Sequence, residues 1–185
     1  MKTALAKLKS ISPYSQRRFH QTPKLPKELH DDYEKRTWRE SCNYLSDGRL
    51  FIPQMAFKNA LGDIAKFLGE KIPGRKNATW TSHFERGIHI GGDLILPITK
   101  DEVEGEWRHV PSDGKPGGSS RVLKCFPTIR EWEGELTFHI WDDAITEEVF
   151  ERYLSEAGKF IGVGVFRPQR RGYFGRFKVV DIVWD

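Results

Sequence analysis

Sulfur is scarce in these 185 residues, which hold two cysteines, Cys42 and Cys125, and two methionines. The cysteines lie far apart and no CxxC spacing occurs, which excludes a disulfide framework and a zinc knuckle and points to a reducing compartment. No apolar run approaches the roughly 20 residues of a membrane span, and the N-terminal stretch lacks the apolar centre of a secretory signal. A cytoplasmic location with no membrane partner is therefore expected. The six histidines, His20, His30, His83, His89, His109 and His139, show no HxxxH or HExxH spacing, so no metal or cofactor is expected. A GxxxxGK[ST] sequence is missing, which removes a nucleotide hydrolase of that class. No repeat is visible at 20-to-50-residue spacing.

What is present is the composition of a folded domain: 38% hydrophobic, 12% aromatic and 30% charged residues. A disordered chain of this length is poorer in large rings, so one compact domain over residues 1–185 is expected. Lysine and arginine number 30 against 26 acidic residues, a net charge of +4. With so small an excess, distribution matters more than the total. Residues 166–178 carry five basic side chains and no acidic one, whereas 142–156 is predominantly acidic. Such separation suits one face turned to a polyanion.

Periodicity gives the elements. Residues 3–11 alternate as an irregular strand, and 12–39 turn polar and basic, with Pro13, Pro23 and Pro26 delaying a short helix that Asp31 or Asp32 would cap and that runs to Trp38. A strand at 49–53 feeds a helix at 54–68, with an apolar stripe of Met55, Leu61, Ile64, Ala65 and Leu68 and a stop at Gly69. Residues 87–98 read as a strand broken at Gly91-Gly92. Residues 104–110 and 121–127 read as a hairpin with a polar tip. At 134–141, Leu136, Phe138 and Ile140 alternate with polar residues, the pattern of a half-buried strand. Thr146 then caps a helix striped by Val149, Phe150, Tyr153, Leu154, Ala157 and Phe160, and 177–184 is a last strand. Two strand–helix–strand halves predict an α+β fold with a ferredoxin-like, or RNA-recognition-motif, core: an antiparallel sheet with two helices. A long first-loop insertion (12–47) and a protruding hairpin (99–128) embellish it.

The chemistry concentrates in 158–178. Gly162, Gly164, Gly172 and Gly175 allow close backbone approach, Arg167, Arg170, Arg171, Arg176 and Lys178 supply charge, and Phe166, Tyr173 and Phe174 supply flat rings. Unpaired nucleic acid needs those three properties together. The competing reading is a solvated basic loop whose rings fold back into the core. A dinucleotide site does not fit, because Gly162-x-Gly164 follows a helix and precedes a strand. Earlier, Ile52-Pro53 places a helix N-terminus and Lys58 where an anion can be held, although an exposed lysine is more often simply solvated. In 12–20, Gln16, Arg17 and Arg18 can meet phosphates and Tyr14 and Phe19 can stack, or the stretch is a disordered basic arm.

Ile52, Pro53, Phe57, Lys58, Ala60 and Leu61, followed by GVGVFRPQRRGYFGRF, resemble the two signature regions of the RAMP superfamily, the repeat-associated backbone proteins of CRISPR effector complexes. The chain departs from the usual first motif at Gln54, Met55 and Asn59. The resemblance implies a non-catalytic RNA-binding subunit that oligomerises along a guide RNA and leaves its bases free for a target strand, beside other copies of itself and other CRISPR effector subunits. It implies contacts from Tyr14, Gln16, Arg17 and Arg18, from Lys58 and Asn59, from Arg108 and Arg121 on a thumb-like hairpin, and from Phe166, Arg167, Arg170, Arg171, Tyr173 and Arg176. Two alternatives stand beside it. One is a metal-independent guide-processing ribonuclease, with His20 as general base. The other is a phage-type single-stranded DNA-binding or annealing protein. Separately, Asp31 and Asp32 lie in the first loop, and the resemblance implies that a loop aspartate there could cleave RNA, as in some backbone subunits of the superfamily.

Overall fold

The structure is a computed structural model that describes residues 1–114, 117 and 120–185. It opens with β1 (Lys2–Ser10), which buries Ala4, Ala6 and Leu8 and turns Leu5 and Lys9 outward, the period of two that a half-covered sheet requires. Next come β2 (Tyr14–Ser15), α1 (His30–Thr37) with a tight turn at Trp38–Ser41, β3 (Arg49–Ile52), α2 (Gln54–Leu68) and α3 (Thr81–Arg86). The middle is all strand: β4 (Ile88–Ile90), β5 (Leu94–Thr99), β6 (Glu104–Pro111), β7 (Arg121–Ile129) and β8 (Glu133–Ile140). The chain closes with α4 (Glu147–Glu156), a π-helical turn at Ala157–Ile161, a short turn at Pro168–Arg170 and β9 (Phe177–Trp184).

The principal sheet has the order β4-β8-β1-β9, and each neighbouring pair is antiparallel. With α2 between β1 and β4 and α4 between β8 and β9, this is the βαββαβ order of a ferredoxin-like core. Smaller sheets, β2-β7-β6 and β3-β5, lie beside it. The two helices cover one face: Phe150 of α4 meets Phe138 at 5.2 Å between ring centres, and Phe57 of α2 meets Phe177 at 5.6 Å.

Local signals explain the elements that match their expected bounds. Gly69 ends α2 in a left-handed conformation, φ 58°, and the Thr146 hydroxyl accepts from Val149 N at 3.3 Å at the start of α4. Elsewhere the pattern misled. Met55 is 57% exposed and Phe57 is fully buried, so the stripe of α2 is turned by about half a turn at its start. Phe160 is exposed because the π-helical turn shifts the face of α4 by one residue, which buries Ile161 instead. Asp31 and Asp32 lie inside the first turn of α1 and cap nothing there. Residues 88–99 form two strands in two sheets rather than one bent strand. The hairpin strands pair from Glu104↔Thr128 to Pro111↔Arg121, while Lys115, Pro116, Gly118 and Ser119 of its tip lie outside the described residues.

Phe150 packs with no exposed surface. Phe150→Ala is expected to lower the unfolding free energy by about 3–5 kcal/mol in a denaturant titration, with the helical circular dichroism of the native state retained.

Candidate nucleic-acid interface

The glycine-rich segment is held by its own backbone. Val163 N reaches the Gly175 carbonyl at 2.9 Å, Val165 N the Ser15 carbonyl at 2.9 Å, and Gly175 N the Pro13 carbonyl at 2.7 Å. At Gly164, φ is +80°, and a Cβ there would collide with the Ser15 carbonyl and the Tyr14 ring. At Gly175, φ is +75°, and a Cβ would strike the Val163 carbonyl. Only glycine fits such a crossing of main chain on main chain. Residues 166–173 consequently stand out as a lobe between two clamped ends.

On that lobe Arg170 and Arg171 are exposed, and Tyr173 is 78% exposed, so charge and a flat ring do face solvent. Arg167 is turned back: its guanidinium donates to the Gly164 carbonyl at 2.8 Å and to Gln169 Oε1 at 2.9 Å. Arg176 donates to the Lys159 carbonyl at 3.1 Å and the Tyr173 carbonyl at 3.4 Å, bracing the lobe's return. Phe166 is half-buried, edge-on to Phe126 at 4.7 Å, with the Arg108 guanidinium 4.4 Å above its ring. Its role is to fasten the lobe to the hairpin rather than to receive a base. Phe174 joins the same cluster.

The arm at 14–20 is ordered by the hairpin. Tyr14 is fully packed, and burial raises its hydroxyl pKa, so its ring is not available for stacking. Arg17 is also spoken for: it bonds Glu34 through both terminal nitrogens, at 2.7 and 3.0 Å, and the Cys125 carbonyl at 2.6 Å. Lys124 Nζ and Cys125 N complete the cage around Glu34, at 3.0 and 2.9 Å. Burial opposes ionisation of Glu34, but the Arg17, Cys125 and Lys124 hydrogen bonds prevail and its pKa falls below the ordinary carboxylate value. Arg18 lies 4.4 Å over the Tyr44 ring, and Phe19 is 86% exposed. His20 bonds the Thr22 hydroxyl at 3.1 Å and stacks on Tyr33; burial, then the nearby Arg17 charge, lowers its pKa. Cys42 and Cys125 are free and buried, their thiols pushed up to about 12.

The segment 52–61 behaves differently from its sequence reading. Lys58 Nζ donates to the Phe84 carbonyl at 3.0 Å and the Ile88 carbonyl at 2.6 Å, anchoring α2 to the end of α3 and to β4. The first amide of α2, Gln54 N, is taken by Asp93 Oδ1 at 2.8 Å, so the chain supplies its own anion at that helix end. Asn59 is exposed one turn later. On the hairpin Arg108 is paired with Glu106, and Arg121 donates to the His109 carbonyl at 3.3 Å.

Three hollows adjoin one another here, each sharing wall residues with the next. The middle one, about 290 Å³, is walled by Gln16, Asn59, Asp63 and the Gly162–Val165 backbone. It shares Arg17 and Val165 with a hollow of about 520 Å³ that holds Arg18, Phe19, His20, Tyr33 and Lys124. On the other side it shares Met55, Asn59, Asp63 and Arg167 with one of about 430 Å³ that reaches Lys58. Tyr33, Asn43, Asp63 and Lys124 were not singled out from the sequence as contacts; they reach these hollows through tertiary packing, and no local spacing marks them. Among the described residues, no group of three His, Cys, Asp or Glu is placed to hold a metal ion, and no helix is long and apolar enough to cross a membrane.

The fold first defines a class: a ferredoxin-like α+β domain with a row of hollows beside its glycine-rich loop. No protein-family model matches the sequence, and no curated protein matches it. Solved structures do. The chain is similar to the type III-B Cmr-beta assembly bound to cognate target RNA, with a TM-score of 0.57 and 9% identity, over 99% of this chain and 60% of that one. It thus spans about 60% of the length of that neighbour. It is also similar to Cmr6 from Pyrococcus furiosus, with a TM-score of 0.51 and 16% identity, over 97% of this chain and 99% of that one. At these identities the likeness is one of fold, and the chain shares the α+β fold of both neighbours.

Two substitutions separate scaffold from surface. Glu34→Gln leaves Arg17 and Lys124 without their carboxylate and is expected to cost about 3 kcal/mol of stability. Because the folded pKa of Glu34 is depressed, its contribution is present above the unfolded value of about 4.3 and disappears as pH falls through the folded value. Acid titrations of the wild type and the variant should therefore converge at low pH. Lys58→Met, which strips two carbonyls of their donor, is expected to lower the unfolding free energy by about 1–2 kcal/mol.

Proposed function

We propose that this chain is a non-catalytic RNA-binding subunit of a CRISPR effector complex, lying along a guide RNA with other copies of itself and other subunits while the guide pairs with a target strand. The observation that carries the reading is the row of three adjoining hollows beside the glycine-rich loop. Its 520 Å³ end is lined by the open ring of Phe19, with Lys124 tied to Glu34 and Arg18 to the Glu40 carbonyl, and the lobe carries the exposed Arg170, Arg171 and Tyr173. Exposed cations and rings on a rigid backbone frame are what a single strand needs for phosphate contact and stacking. The fold likeness to a complex bound to cognate target RNA supports RNA as the ligand.

Binding of a fluorescent single-stranded RNA, followed across a salt series, tests this. Affinity should fall steeply with salt. In the Arg170→Ala, Arg171→Ala double variant the logarithmic slope should lessen by about 0.7 for each phosphate that is no longer neutralised, with thermal stability unchanged. An unaltered slope in that variant would remove the lobe from the interface. Preference for DNA of the same sequence would favour the single-stranded DNA reading instead.

A further inference from the structure

Two large rings stand in solvent on the helical side of the fold. Phe67 is 66% exposed and Phe160 is 49% exposed, and their centres lie 6.1 Å apart with the planes inclined by 31°. Single exposed apolar side chains are ordinary, but two aromatic rings in contact with each other and open to water form a patch that calls for a partner. Phe67 lies off the buried stripe of α2, which runs through Phe57, Ala60, Leu61, Ile64 and Ala65. Phe160 is turned outward by the π-helical turn at Ala157–Ile161, an irregularity that is rare and often marks a functional site. Without the extra residue of that turn, Phe160 would take the buried place that Ile161 now holds.

The charge around the rings says what covers them. Residues 157–178, which include Phe160 and the whole lobe, hold six basic side chains and no acidic one. The lobe is fastened to the π-helical turn: the Arg176 guanidinium donates to the Lys159 carbonyl at 3.1 Å, and a Cβ on Gly162 would lie 2.8 Å from Pro168 Cδ, so the turn at Pro168–Arg170 sits directly on the helix end. Lys66, next to Phe67, is exposed. The acidic neighbours are engaged, Glu156 with Lys159 at 3.1 Å, Glu70 with Arg152, and Asp63 electrostatically with Arg167. Apolar rings set in a basic field match a polyanion that carries flat apolar groups of its own, which describes an unpaired nucleic-acid strand.

We propose that Phe67 and Phe160 form a stacking platform for an unpaired base of the same RNA strand whose phosphates meet Arg170 and Arg171 on the lobe. The proposal rests on the RNA-binding reading and extends it from the hollows to the helix end on which the lobe is anchored. A phenyl ring presents no hydrogen-bonding edge, so the platform accepts any base. Its share of the affinity involves no counterion release and is therefore independent of salt, unlike that of the lobe arginines.

The test uses the whole chain, a fluorescent mixed-sequence RNA of about 12 nucleotides, and an abasic oligomer of equal length that has the phosphates and no bases. Affinity is read by anisotropy across a salt series. The Phe67→Ala, Phe160→Ala double variant should bind the RNA about tenfold more weakly, while its salt slope, its affinity for the abasic oligomer and its melting temperature stay as in the wild type. Phe67→Leu with Phe160→Leu, which keeps apolar surface and removes both rings, should lose most of the same affinity, and Phe67→Trp should bind at least as tightly as the wild type. Unchanged RNA affinity in the alanine variant, or an equal loss for RNA and abasic oligomer, would overturn the platform and leave the phosphate grip of the lobe standing. Self-association of the wild type that the alanine variant lacks, with RNA affinity unaltered, would overturn it in favour of an interface between copies of the chain. If the wild type binds neither oligomer at low salt, the RNA-binding reading itself fails and the platform with it.

Discussion

Where residues 163–165 cross Ser15, main chain meets main chain with no room for a side chain between. The Val165 amide bonds the Ser15 carbonyl at 2.9 Å, the Ser15 hydroxyl donates to the Pro127 carbonyl at 3.0 Å, and Gln16 N reaches that same carbonyl at 3.2 Å. Arm, hairpin and glycine-rich loop thus meet at one fully buried serine. The wall of the middle hollow follows from this node: with Gly164 seated on Ser15, its own carbonyl receives Arg167, and Gln16 is fixed next to the cavity. A β-carbon at Gly164 would push the loop away and open that hollow.

The cations divide into those that build and those left to bind. Arg17, Lys58 and Arg108 are each held by a carboxylate or by backbone carbonyls, and removing them would be felt in stability before it was felt in affinity. Arg170 and Arg171 stand on the lobe surface. A net charge of +4 therefore says little about the local field, which depends on where the exposed cations such as Arg170 and Arg171 stand.

The legible parts of this fold were those written in local sequence. Thr146 capping α4, Gly69 ending α2, and Leu136, Phe138 and Ile140 alternating in β8 each depend on neighbours within four residues, and each was read correctly. The core topology followed from the same signals. What escaped was set by distance along the chain: Asp93 caps α2 from 39 residues away, and Glu34 binds Cys125 N across 91. Single-sequence periodicity has no access to such pairs. That blindness explains why Arg17 and Lys58 read as binding groups, since a lysine or arginine shows its partner only in three dimensions. Tyr14 and Phe166 misled in a related way, because composition identifies a ring but not which of its faces is covered.

The same separation governs how the row of hollows can work. Its 520 Å³ end carries cations and the open ring of Phe19, and its 290 Å³ middle carries carboxamides, the Asp63 carboxylate and the guanidinium groups of Arg17 and Arg167. A strand laid across both would meet, at Arg17 and Arg167, guanidinium groups already bonded within the chain. Phosphate attraction weakens with added salt, whereas a buried donor–acceptor match is largely insensitive to it. On the proposed reading the salt-dependent contacts fall to Arg170 and Arg171 on the lobe, since Arg17 and Lys124 are held by Glu34 and Arg18 by the Glu40 carbonyl.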